Sequence, residues 1–297
     1  MSGDATAPRA ELVLDARATL GEGPVWDPDR RLLWWVDILG GVVHGFDPAT
    51  GSDRAIEIGE AVGAIALRAS GGLIVAAAGR IAALDPETGT IEDLATFEPE
   101  TPARRMNDAK CDPTGALWVG RMALDGAPGL GSLLRLDPDL RLTIVETGLA
   151  VPNGMAWSRD GRRMYFIDSM RRQVTEQGFD AATRMVGPGR PLLEFPEDWG
   201  LPDGLTIDTE GCLWVAMWDG GCVLRIAPDG RTIDRIDVPG ISQASSCTFG
   251  GDDLGDLYIT TARESFTDDD AAREPNGGGL FRVRPGPRGM SADQFAG

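Results

Sequence analysis

Histidine and lysine are nearly missing from this 297-residue chain, which has one of each, His44 and Lys110. A single histidine excludes an all-histidine zinc site, the H-E-x-x-H helix and a two-histidine relay. Any acid–base or metal chemistry then falls to carboxylates and amides. Basic charge is also short, with 28 lysines and arginines against 46 acidic residues and a net charge of −18. Such a chain lacks the basic surface that nucleic acid requires and that an anionic membrane attracts. The longest apolar run, Leu73 to Ala78, is far below the ~20 residues of a membrane helix. Met1 to Arg9 has no apolar stretch of the signal-peptide kind. The four cysteines (Cys111, Cys212, Cys222, Cys247) form no C-x-x-C pair, so they read as free thiols in a reducing cytoplasm.

Glycine and proline are plentiful, at 40 and 20, and are spread without a low-complexity tract. They separate short runs rich in β-branched and aromatic residues, such as LLWWVD at 32–37, ALWVGR at 116–121 and DLYITT at 256–261. Runs of this kind read as buried strands. One marker residue from each of six such runs (Trp34, Ile74, Trp118, Tyr165, Trp214, Tyr258) gives spacings of 40, 44, 47, 49 and 44. A period in the forties marks a repeat architecture. Turn residues precede each marker run, as in Asp27-Pro28-Asp29 and Asp112-Pro113-Thr114-Gly115. Another apolar stretch lies before each turn, and two more strands follow. Four strands per unit, repeated six times without an amphipathic helix, predict an all-β, six-bladed β-propeller with antiparallel blades around a central channel. The expectation is one domain over 11–297 after a flexible N-terminus at 1–10, with Glu11 to Ala16 closing the last blade as an outer strand.

A propeller gathers the starts of its inner strands at one mouth of the channel. Counting four residues back from Trp26, Leu67, Cys111, Trp157 and Ile207 gives Glu22, Gly63, Asn107, Asn153 and Asp203. The sixth unit offers Ser245 or Ser246. Two carboxylates and two amides at one mouth form a hard-oxygen set suited to Ca²⁺, Mg²⁺ or Mn²⁺, with Zn²⁺ at lower coordination. Asn-Gly and Asp-Gly are also turn signals, but glutamate is not, and a lone buried Glu22 is costly without a cation. Glycine after Glu22, Asn153 and Asp203 reads as room for close backbone approach to a ligand. His44 reads as structural. Lys110 is expected on the opposite face of its strand from Asn107, in a buried salt bridge.

Several segments carry a resemblance: GEGPVW (21–26), RMNDAKCDPTGALWVG (105–120), PNGMAWSRDGRRMYFID (152–168), PDGLTIDTEGCLWVA (202–216) and SCTFGGDDLGDLYITTAR (246–263). Together they resemble the gluconolactonase/regucalcin (senescence marker protein) family, and within it bacterial sugar lactonases. The resemblance implies hydrolysis of an aldonolactone, such as a glucono-, xylono- or arabinonolactone, to the aldonic acid. It implies one divalent ion (Ca, Zn, Mg, Mn or Fe) held by Glu22, Asn153 and Asp203. It also implies substrate contacts from Arg105 and Asn107, and from Asp125 in the divergent loop 123–131. Asp203 is the expected proton acceptor. The partner is then a small sugar lactone, with no nucleic acid or membrane, and the protein a monomer or small homo-oligomer. The competing readings are another metal-dependent esterase or phosphotriesterase on the same propeller, and a non-enzymatic calcium-binding or interaction propeller.

Overall fold

The computed structural model describes residues 8–297, so most of the expected flexible stretch at 1–10 lies outside the described residues. Ala10, at its end, is buried. The chain forms six antiparallel sheets with their strands in chain order from the centre outward, except that Met185–Val186 and Arg190–Glu194 both pair with Gln173–Asp180 in the fourth, and that an N-terminal strand completes the last. The inner strands are Gly21–Asp27, Val62–Leu67, Arg104–Cys111, Pro152–Trp157, Leu201–Ile207 and Ala244–Gly250. Each packs against the next, and the last packs against the first, so they close a ring. Glu11–Leu14 pairs antiparallel with Leu280–Val283 as the outermost strand of the sixth blade. That pairing joins the chain's two ends and covers an edge that would otherwise be open. The six-bladed propeller expected from the period is the observed fold. The one α-helix among the described residues, Asp268–Arg273, is a single short turn-and-a-half capped by Thr267.

The repeating turn aspartates do more than start turns. Asp27, Asp112 and Asp208 lie where inner strands end and are buried. One carboxylate oxygen of Asp208 accepts the backbone N–H groups of Glu210 and Cys212, and the other accepts Trp214 Nε1 at 3.0 Å. Asp112 does the same with Thr114, Ala116 and Trp118, and Asp27 with Asp29, Arg30 and Trp34. One carboxylate thereby satisfies the turn backbone and the indole of the neighbouring strand, which lets a large tryptophan be fully buried without an orphaned N–H. The six marker residues are all buried and pack between blades. The four cysteines are free and buried.

The last residues form a strap on the face away from the mouth. Phe295 is fully buried, and its backbone bonds to Leu67 and Ala69 of the second blade. Ala296 N–H donates to Gly115 of the third blade, and Arg288 O accepts from Thr209 of the fifth.

A feature repeated in all six blades positions the site. Each inner strand breaks register with its neighbour near its start: between Glu22 and Val25, Val62 and Ala64, Met106 and Ala109, Pro152 and Met155, Pro202 and Leu205, and Ala244 and Ser246. A bulge inserts an unpaired residue and re-aims the side chains around it. Residues at the irregular starts of the first, third, fourth and fifth inner strands line one cavity at the channel mouth.

Candidate active site at the channel mouth

Glu22, Arg105, Asn107, Asn153 and Asp203 meet in one open cavity of about 290 Å³. They come from the bulged starts of the first, third, fourth and fifth inner strands, and all five are buried. Asp125, from the loop after the third blade's second strand, lines the same cavity and is exposed, with Oδ1 accepting Ala127 N–H. All six residues singled out from the sequence therefore reach one pocket. Leu124, Met170, Trp218 and Glu264 also line it.

The other strand starts behave differently. Gly63 is packed against its neighbour, and a Cβ there would sit 2.4 Å from the Met106 carbonyl carbon. Ser245 turns into the blade interface, donating to Gly21 O beside Thr260. Ser246 lines a second cavity further down the channel. The glycines after the polar residues also serve a different purpose from the expected one. A Cβ on Gly154 would lie 2.6 Å from Asp203 O, and one on Gly204 would lie 2.8 Å from Ser246 Cα. Their smallness lets adjacent inner strands touch, whereas Gly23 supplies the left-handed φ of +51° that its bulge needs.

Hydrogen bonds fix the polar groups. Asn153 Nδ2 donates to Asp203 Oδ1 and, at 3.1 Å, to Ser169 Oγ. Its Oδ1 is buried with no hydrogen-bond partner. Glu22 Oε2 accepts Gly23 N–H at 2.9 Å. Arg105 Nη1 donates to Met106 O at 3.0 Å and to Asn107 Oδ1 at 2.6 Å, and Asn107 Nδ2 donates to Pro152 O at 3.0 Å. The Asn107 amide thus connects Arg105 to the fourth blade.

The electrostatics are those of crowded anions. Burial, reinforced by Asp108, raises the Glu22 carboxyl from 4.5 to about 8. Burial, with Glu22 and Asp108 nearby, pushes Asp203 well above the usual carboxylate range. Burial lowers Arg105, opposed by the fields of Glu264, Glu22 and Asp203. Among the described residues no group of three or more His, Cys, Asp or Glu side chains is placed to hold a metal. The donors at the mouth are two carboxylates and a carboxamide. These hard oxygens, one of them a buried carbonyl lacking a partner, fit a divalent cation. A cation would also relieve the repulsion between Glu22 and Asp203.

Two residues outside the site depart from or extend the sequence reading. Among the described residues Lys110 forms no salt bridge; its Nζ crosses the channel to donate to Leu205 O at 2.7 Å. The bulge between Met106 and Ala109 breaks the alternation on which the expected pairing rested. His44 bonds Asp53 at 2.7 Å and stacks on Trp35 with ring centroids 4.1 Å apart, in the first blade's middle strands and away from the mouth.

The chain is similar to known proteins across nearly its whole length. It is 38% identical to a pentonolactonase of Haloferax volcanii, over 91% of this chain and 92% of that protein. It is 34% identical to regucalcin of Xenopus laevis, over 97% and 99%. A solved structure from Agrobacterium tumefaciens, described as a calcium-binding protein, regucalcin, superposes with a TM-score of 0.93 at 28% identity, covering 97% of this chain and 98% of that one. Residues 20–263 match the family described as SMP-30/Gluconolactonase/LRE-like region, and the chain belongs to that family.

Proposed function

We propose that the protein hydrolyses a sugar lactone to its aldonic acid at this mouth. The observation that carries the reading is the convergence of Glu22, Asn153 and Asp203 from three blades beside Arg105, with the Asn153 carbonyl buried and without a partner. Sequence kinship to a protein named pentonolactonase supplies the substrate class. Glu22, Asn153 and Asp203 would hold one divalent ion, which when bound supplies a Lewis acid that polarises an ester carbonyl.

The chain's own groups do the rest. Arg105, braced by Asn107, presents a fixed guanidinium to the lactone's oxygens, and Asp125 faces the same space from its loop. Asp203, with Oδ1 tied to Asn153, takes a proton from the attacking water as the new C–O bond forms at the carbonyl carbon. The ring C–O bond then breaks, and that proton goes to the departing ring oxygen, leaving a hydroxy acid. Leu124, Met170 and Trp218 give the pocket an apolar rim that limits competing water.

Substitution of Asp203 tests the assignment. Asp203→Ala is expected to lose lactone turnover and to bind divalent ion more weakly by calorimetry. Retention of both by a folded variant overturns Asp203 as base and ligand. Ion binding without turnover on any lactone, in the unsubstituted protein, would instead leave a calcium-binding propeller.

A further inference from the structure

Glu264 lies one residue past the last family-like segment and has no role in the reading so far. It follows the sixth blade's second strand, Asp256–Thr261. Its backbone is clamped on both sides by one buried side chain: Glu264 N–H donates to Gln243 Oε1 at 2.9 Å, and Gln243 Nε2 donates to Glu264 O at 3.1 Å. The clamp fixes where the side chain starts, and that side chain lines the mouth cavity, where its charge acts on Arg105. Among the described residues its carboxylate makes no hydrogen bond or ion pair, unlike the many surface carboxylates here that pair with arginine. A carboxylate held in place and left unpaired beside a substrate pocket is available to a ligand.

Charge decides what that ligand can be. The cavity holds four carboxylates (Glu22, Asp125, Asp203, Glu264) and a single cation, Arg105. A divalent ion on Glu22 and Asp203 would cancel those two. Asp125 and Glu264 then outweigh Arg105, which is itself buried and engaged with Asn107 and Met106. The part of the pocket that meets the body of the substrate is left anionic. Carboxylates accept hydrogen bonds from hydroxyl groups, and they repel anions.

We propose that Glu264 is a specificity-determining residue: with Asp125 it makes the substrate side of the pocket anionic, so that the site takes an uncharged polyhydroxylated lactone and rejects one bearing an anionic substituent. The inference rests on the lactonase reading for its substrate, but its charge selection is measurable without turnover.

The test compares a neutral aldonolactone with its 6-O-sulfated counterpart, since a sulfate ester is a weak ligand for divalent ions. The unsubstituted protein is expected to favour the neutral lactone in kcat/KM by tenfold or more, mainly through KM. Glu264→Gln keeps the shape and one acceptor oxygen and should narrow that ratio at least threefold. Glu264→Arg should narrow it further, and Glu264→Asp should retain it. An unchanged ratio in both charge variants overturns the proposal while leaving lactone hydrolysis intact. Calorimetry with glucitol and glucitol 6-sulfate reads the same selection by binding alone. If no lactone is opened but glucitol is still preferred, and less so in Glu264→Gln, charge selection stands and the hydrolytic reading falls. Equal binding of the two polyols by the unsubstituted protein overturns the selection itself.

Discussion

Replacing Glu22 with glutamine should make the metal-free protein more stable, by an amount that grows with pH. Glu22 is 5% exposed, and burial together with Asp108 raises its carboxyl from 4.5 to about 8. Below pH 4.5 the carboxyl is protonated in both folded and unfolded chains, so the substitution has little effect. Between 4.5 and 8 unfolding releases the proton, and the native state loses about 1.4 kcal/mol per pH unit relative to the glutamine variant. The difference is about 3 kcal/mol at pH 7 and levels off near 5 kcal/mol above pH 8. Glutamine keeps an oxygen for the Gly23 N–H, so no structural bond is lost. The assay is urea unfolding in EDTA at several pH values, followed by the fluorescence of the eight tryptophans. Divalent ion should narrow the difference: at a hundred times its Kd it stabilises the unsubstituted protein by about 2.7 kcal/mol and the variant by less. A variant less stable than its parent at pH 8 in EDTA, or a pH slope shared by both, would refute the reasoning. Glu22 would then be a structural carboxylate.

Three further outcomes follow from the same geometry. Asp208→Ala should cost about 3–5 kcal/mol in urea unfolding, because it strands the Trp214 indole and the Arg225 guanidinium that bond to this fully buried carboxylate. Phe295→Ala should cost about 3–5 kcal/mol by the same assay, since a fully buried ring anchors the C-terminal strap. Glu264→Gln should strengthen competitive inhibition by aldonate product, because the anion that hydrolysis creates meets less repulsion in the pocket; inhibition constants at fixed lactone check this.

How much of this was legible in the sequence depended on what repeats. The period of the marker residues and the turn aspartates exposed six blades, because each blade solves the same packing problem with similar residues. The strand starts were legible for the same reason: counting back a constant number of residues reached Glu22, Asn107, Asn153 and Asp203. What periodicity could not show was the bulge. Strict alternation placed Lys110 in a salt bridge on the far face, whereas the extra residue between Met106 and Ala109 sends it across the channel to Leu205 O. Alternation also gave no reason to separate Ser245 from the mouth. Glu264 escaped because loops after the blades do not repeat; its only sequence signal is its place directly after the Thr-Ala-Arg segment at 261–263. Asp125 sits in a loop as irregular, and only the family resemblance pointed to it.

The central claim, lactone hydrolysis at the channel mouth, is tested most directly by titrating acid release from a panel of aldonolactones against the uncatalysed rate. The protein would be stripped with EDTA and then reloaded with Ca²⁺, Mg²⁺, Mn²⁺ or Zn²⁺. The account predicts acid release far above the uncatalysed rate on at least one lactone, lost in EDTA and restored by at least one ion, and absent from Asn153→Ala, which removes the unpartnered carbonyl. Turnover that is indifferent to EDTA and to Asn153→Ala, or no turnover on any lactone with any ion, would contradict it.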